Sequence, residues 1–232
     1  MNYKVVIPAA GQGKRMKADR NKQLLLLDGV PLIVRTLQVF EKDDWCNGII
    51  IVGNQIELIE LKRLVSEYKL MKVLDIVVGG KERQNSVYEG VKAIKEEILV
   101  LIHDGARPFV SLDSIHQLVL QADECGAAVL AVPLKDTIKQ IEANKVVKTV
   151  DRSSLWAVQT PQAFHLSILV QAHETAEKLG YIGTDDASLV ESIGKQVAVV
   201  EGSYLNIKLT TPEDMLFANS IIRQIEEREL DV

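Results

Sequence analysis

The sequence predicts an α/β domain built on a largely parallel sheet, and three observations carry that prediction. Short β-branched runs alternate with amphipathic stretches of helical period along all 232 residues. No internal repeat, low-complexity tract or Pro/Gly/Ser linker interrupts the alternation, so a single domain spans residues 1–232. The composition, 47% hydrophobic and 25% charged, is that of a soluble globular chain able to bury a sizeable core. Strands that alternate with helices form a sheet covered on both faces.

In chain order, Val5–Ile7 reads as the first strand and Leu32–Glu41 as the first helix. Ile49–Val52 and Glu57–Tyr68, Leu74–Val78 and Arg83–Lys95, then Ile98–Ile102 and Leu112–Glu124 repeat the pairing. Val129–Val132 is a further strand, Leu166–Leu179 and Ala187–Ile193 further helices, and Val197–Val200 a later strand. Asn206–Thr210 alternates polar and apolar residues, which predicts a final strand carrying Lys208. Thr211-Pro212-Glu213-Asp214 then supplies an N-cap, a first-turn proline and acids for a last helix.

One segment breaks the rhythm. Thr137–Glu142 and Val146–Asp151 are polar-rich strands around a Glu142–Lys145 turn, a hairpin inserted at residues 135–154. A lone hairpin is marginal in water, so this one either leans on another surface, such as a second subunit, or is a solvent-exposed flap on the same domain.

Charge and cysteine content narrow the function. With 27 Lys and Arg against 32 Asp and Glu the net charge is −5, which argues against coating nucleic acid or an anionic membrane. Apolar runs such as Ala127–Leu134 fall far short of the ~20 residues of a bilayer span. Met1–Lys17 has no signal-peptide pattern, and Cys46 and Cys125 make no CxxC, so a reducing cytoplasm is the expected compartment.

Glycine loops and basic residues cluster where ligands bind in open α/β sheets, beyond the carboxyl ends of strands. Ala9, Ala10, Gly11 and Gly13 let backbone N–H groups approach a phosphate, and the charge from Gly11 to Lys22 is locally +4, including Arg15 and Lys22. The dinucleotide fingerprint fails at Met16 and the Walker loop lacks its Ser or Thr. The alternative is an ordinary βα turn with solvated lysines. Gly79-Gly80 precedes Arg83 and Ser86 in the first turn of a helix, a place that suits a nucleotide but also fits a simple turn. Asp104, at the end of its strand, is placed for a hydrated Mg2+; Arg107 could grip a phosphate or pair internally with Asp104. His103 reads as a satisfied, half-buried residue, because strand neighbours face opposite ways. Lys208 either reaches the strand ends or is a solvated edge lysine. In Thr184-Asp185-Asp186 the acids read as helix caps in preference to a metal site.

Taken in order, Pro8–Met16, Lys22-Gln23, Gly79-Gly80 with Arg83 and Ser86-Val87, His103–Pro108, Asp136-Thr137, Asp151-Arg152, Leu155-Trp156, Thr160–Gln162, Thr184–Ala187 and Asn206–Lys208 form a series. The series resembles the 2-C-methyl-D-erythritol 4-phosphate cytidylyltransferase family of non-mevalonate isoprenoid synthesis. Asn21 and Gly105 depart from the family's usual proline and alanine. The resemblance implies a Rossmann-like nucleotidyltransferase (GT-A-like) domain, Mg2+ dependence, and a homodimer joined by the β-arm at residues 135–154. It places Arg15, Lys22 and Lys208 around the phosphates of CTP, with Ala9, Ala10, Gly11, Gly13, Gly80 and Ser86 around the nucleotide. Asp104, Arg107, Thr137, Thr160 and Arg152 would surround methylerythritol phosphate, with Thr137 and Arg152 coming from the partner's arm. Mg2+ would be held by Asp104 or by the CTP phosphates alone. Three readings stay open beside this one: cytidylyl transfer to another polyol phosphate such as ribitol 5-phosphate, a nicotinamide-dependent oxidoreductase, and a nucleotide-binding regulatory protein.

Overall fold

The first strand, β1 (Tyr3–Pro8), divides the core in two. Successive strand side chains point to opposite faces, so Tyr3, Val5 and Ile7 pack on one side of the sheet and Val6 on the other. The structure, a computed structural model, describes residues 1–11 and 22–230. After β1 the described chain resumes with a 3-10 turn, Lys22–Leu24, and a small hairpin of β2 (Leu26–Leu27) and β3 (Val30–Pro31).

β4 (Cys46–Gly53) and β6 (Leu99–Ile102) flank β1 in parallel, and β5 (Val73–Val78) extends the sheet beyond β4. On the other side lie β7 (Ala127–Pro133), β10 (Trp156–His165) and β11 (Ala198–Glu201). The strand order is β11-β7-β10-β6-β1-β4-β5, and β10 alone runs antiparallel to its neighbours. The sequence pattern does not reveal β10, because Pro161 and the polar Gln159, Thr160 and Gln162 interrupt its apolar run.

Helices cover both faces. α1 (Leu32–Lys42), α2 (Leu58–Glu67) and α4 (Leu112–Cys125) bury Leu37, Phe40, Leu61, Leu64 and Leu118 against one side. α3 (Arg83–Lys92), α5 (Leu166–Leu179) and α6 (Asp186–Ser192) bury Val87, Val91, Leu169 and Val190 against the other. α7 (Pro212–Leu230) closes a third cluster over the β2–β3 hairpin, through Leu27, Phe109, Leu209 and Ile221.

Two expectations change here. Asn206–Thr210 is not a strand. Its backbone bonds run to the loop after β6 instead, with the Leu209 N–H donating to Ala106 O at 2.9 Å, while Ile207 and Leu209 still turn inward together. α3 also stops at Lys92, short of Lys95. The polar hairpin does form, as β8 (Ile138–Glu142) and β9 (Lys145–Val150), and among the described strands these pair only with each other. Ala143 and Asn144 at its tip have φ of 46° and 62°, the left-handed pair that a two-residue hairpin turn matching strand twist requires.

α3 approaches the sheet closely enough that one residue has no room for a side chain. A Cβ at Gly90 would lie 2.4 Å from Val6 Cγ1 and 2.7 Å from Val52 Cγ2. Alanine gains about 1 kcal/mol of helix propensity, but forcing a methyl between two stiff valines costs about 1–3 kcal/mol. Gly90→Ala is therefore expected to destabilise by about 1 kcal/mol and lower Tm by roughly 2–4 °C, read by thermal unfolding.

Candidate active site

A cavity of about 190 Å3 opens at the carboxyl ends of the parallel strands, where open α/β sheets place their ligands. Its walls are the turn after β1 (Pro8, Ala10, Gly11), the start of α3 (Gly80 to Arg83, and Ser86), the loop after β6 (Asp104 to Ala106), and the side chains of Gln23 and Lys208. Gly80 has to be glycine for α3 to begin here, since a Cβ would meet Asn85 Cβ at 2.4 Å. α3 itself is capped reciprocally by Glu82 and Asn85, and the Ser86 hydroxyl donates to Glu82 O at 3.1 Å.

On the cavity floor Asp104 draws three cations together. Lys208 Nζ lies 2.6 Å from its Oδ2, Arg83 Nε 3.4 Å from its Oδ1, and Arg107 Nε 4.0 Å from Oδ2. Burial alone would raise the carboxyl pKa; the charges of Arg83, Lys208 and Arg107 outweigh it and hold the group well below the usual carboxylate range. The Asp104 N–H donates to Thr160 Oγ1 at 3.0 Å, which fixes the backbone under the carboxylate.

Behind Arg83 sits a second acid, which the sequence pattern reads as a helix cap. Asp186, 1% exposed, accepts from Arg83 Nη1 at 2.8 Å and lies 3.4 Å from His173 Nε2, without the alignment of a hydrogen bond. Burial opposes its ionisation, but Arg83 holds its pKa below the ordinary value. Asp185 does cap α6 as expected, accepting from the Ser188 N–H at 2.9 Å. The spare acid beside it was the only signal in the sequence, since Arg83 is 103 residues away.

His103 is fully buried, not half-buried, and its Nε2 lies 2.9 Å from Arg107 O. Burial pushes its pKa down to about 4, so it is neutral at pH 7. Lys208 reaches the site and is no solvated edge residue. Ala10, Gly11, Gly80, Ser86 and Asp104 line the cavity with it. Ala9 does not: its methyl is buried and its N–H donates to Val52 O at 2.7 Å. Arg107 turns its Nη1 to Asn206 O at 2.6 Å, and Thr160 stands behind Asp104. Thr137 and Arg152 are exposed where the chain enters and leaves the hairpin, at its open base and outside the cavity. Lys22 belongs to the 3-10 turn beside Gln23; Gly13 and Arg15 lie outside the described residues. Among the described residues no group of three or more His, Cys, Asp or Glu is arranged to hold a metal, and both Asp104 oxygens already face cations.

Parallel strands ending on glycine turns, above a floor of convergent cations, place the chain among α/β enzymes that handle nucleotides. Its relatives are more specific. The sequence profile of 2-C-methyl-D-erythritol 4-phosphate cytidylyltransferase matches residues 3–224. The protein of that name from Halalkalibacterium halodurans is 57% identical over 228 residues, 98% of this chain and 100% of its own length. Its counterpart from Bacillus velezensis is 58% identical over 224 residues, covering 96% and 97%. Among solved structures, 4-diphosphocytidyl-2C-methyl-D-erythritol synthase from Anaerococcus prevotii superposes with a TM-score of 0.83 at 31% identity, covering 96% of each chain. The cytidylyltransferase from Thermus thermophilus gives 0.79 at 33% identity, covering 96% of this chain and 100% of its own. The chain belongs to the 2-C-methyl-D-erythritol 4-phosphate cytidylyltransferase family.

The neutral His103 has a measurable consequence. Its folded pKa, about 4, lies below the ~6.5 of an unfolded histidine, so between these values the unfolded chain binds a proton that the fold refuses. Stability is then complete above about pH 6.5 and falls as pH drops toward 4, by about 2 kcal/mol between pH 7 and 5. Asp104 acts in the same direction at lower pH: its depressed pKa preserves stability down to about pH 4, and that contribution is lost only below. Urea unfolding at pH 7 and pH 5 should show the histidine decrement, and His103→Gln should shrink it.

Proposed function

We propose that the chain transfers the cytidylyl group of CTP to 2-C-methyl-D-erythritol 4-phosphate, releasing pyrophosphate. The observation that carries the reading is the cation cluster on Asp104, set on the floor of a glycine-walled cleft in a chain of this family. Ala10, Gly11, Gly80 and Ser86 would meet the nucleoside, and Arg15, Lys22 and Lys208 the phosphates. An oxygen of the acceptor's phosphate attacks the α-phosphorus, the new P–O bond forms, and the bond to the β-phosphate oxygen breaks in line to free pyrophosphate.

This chemistry needs no general base. A phosphate monoester has its second pKa near ~6 and is already a dianion at neutral pH, which suits a site whose buried histidine is neutral and turned away. The work lies in bringing anions together and stabilising charge on the leaving group. Lys208 is held at 2.6 Å from Asp104, so its ammonium is oriented before substrate arrives. A bound Mg2+ supplies further neutralisation of phosphate charge. Since Lys208 and Arg83 flank the two oxygens of Asp104, the ion's nearer ligands would be the CTP phosphates, with Asp104 free to ligate only by exchange.

Acceptor binding completes the reading. Asp104, Arg107 and Thr160 stand on one side, and the hairpin brings Thr137 and Arg152 from a second subunit. Ile141, Val146 and Val147 of the hairpin are more than half exposed, which suits an arm that lies against a partner. The free cysteines, Cys46 and Cys125, fit a reducing cytoplasm.

Pyrophosphate release from CTP and Mg2+ should be fastest with methylerythritol phosphate in a panel of polyol phosphates; equal turnover with ribitol 5-phosphate would move the acceptor assignment, and no release with any acceptor would refute the reading. The shared site is tested by mixing. Lys22→Ala and Arg152→Ala homodimers should each be nearly inactive, with losses of about 10²–10³ in kcat for a removed preorganised charge. Refolded together they form heterodimers in which one site carries both defects and the other neither, so about a quarter of wild-type activity returns. Heterodimers without regained activity would place Arg152 in its own subunit's site.

A further inference from the structure

We infer that Asn206 is a positioning residue for Lys208, through which it sets the geometry of phosphate transfer; this rests on the reading of Lys208 as a group that touches the CTP phosphates. The segment that delivers Lys208 belongs to no helix or strand; one backbone bond, from the Leu209 N–H to Ala106 O, ties it to the loop after β6, and side-chain bonds supply the rest. Asn206 takes part in three of them, nearest the lysine. It is 2% exposed, and its amide Nδ2 donates to Thr160 O at 2.9 Å and to Gln159 Oε1 at 3.2 Å. Its backbone carbonyl accepts from Arg107 Nη1 at 2.6 Å. Gln159 in turn donates through Nε2 to Ser203 O at 2.9 Å, at the start of the same segment.

The anchor is shared. Thr160 gives its carbonyl to Asn206 and its hydroxyl to the Asp104 N–H, so one bend of β10 locates both ends of the Lys208–Asp104 pair. Stability alone is a poor reason for an amide here. Neutral hydrogen bonds contribute only about 0.5–1.5 kcal/mol net, and Asn206 Oδ1 is buried with no hydrogen-bond partner among the described residues. What an asparagine provides and an apolar residue of similar size does not is direction: two donors aimed at two fixed acceptors, two residues before the lysine.

A misplacement on the order of 1 Å at a reacting centre lowers rate by about 10²-fold. Asn206→Ala, and the isosteric Asn206→Asp whose ionised carboxylate cannot donate to either acceptor, should each lower kcat by about 10- to 100-fold while the KM for CTP moves much less. The decisive comparison repeats Asn206→Ala in a Lys208→Ala background, with pyrophosphate release followed by a radiolabel and folding checked by thermal unfolding. A residue acting through Lys208 adds almost nothing there, no more than about 2-fold. The same loss in both backgrounds, or a normal kcat for folded Asn206→Ala or Asn206→Asp, overturns the inference while leaving Lys208 in place. Near-normal turnover of Lys208→Ala alone overturns the lysine's role, and this inference with it.

Discussion

The site depends on one buried charge. Asp104 is 8% exposed and would be costly to keep ionised there without compensation, yet Arg83, Lys208 and Arg107 converge on it from three separated parts of the chain. The carboxylate gives these cations a common centre before any phosphate enters. On the proposed reading, polyanionic substrates meet cations already gathered, and charge preorganised in this way usually contributes more to rate than any other single effect. On that reading the cluster ties stability to function: its members hold each other in place and are the cations proposed to meet phosphate.

That cluster constrains the surrounding fold. Arg83 is held from behind by Asp186, so the start of α3 and the start of α6 must keep their spacing. Asp104 is held from below by Thr160, so β10 must enter between β6 and β7 with its bend at the right height. Gly90 lets α3 settle onto Val6 and Val52, which brings Arg83 within reach of the strand ends. A doubly covered sheet makes a general nucleotide cleft; the polar contacts beneath it are what the proposed function makes specific to phosphate transfer.

Much of this was legible in the sequence and some was not, for identifiable reasons. Val5–Ile7, Ile49–Val52 and Leu166–Leu179 carry apolar periods strong enough to survive any context, and they fold as expected. The hairpin was legible because its polar strands fit no core. β10 was hidden by Pro161 and its polar neighbours, whose bonding groups are used inside the protein rather than displayed to water. Asn206–Thr210 carries a strand-like alternation, but its partners are loop carbonyls and side chains, which periodicity does not register. The pairing of Lys208 with Asp104 and of Arg83 with Asp186 joins residues about a hundred positions apart, and composition offers no hint of it. The order of the motifs, rather than any one of them, is what pointed to the family.

Substituting Asp104 by asparagine is the most direct test of the carboxylate as organising centre, because it removes the charge and keeps the shape. CTP affinity from calorimetry and kcat from pyrophosphate release would be measured on the same folded protein. Three unneutralised cations should bind CTP as tightly as before or more tightly, while kcat falls by about 10²-fold because they no longer share one centre. Undiminished kcat in Asp104→Asn, or weaker CTP binding with turnover intact, would contradict that role for Asp104.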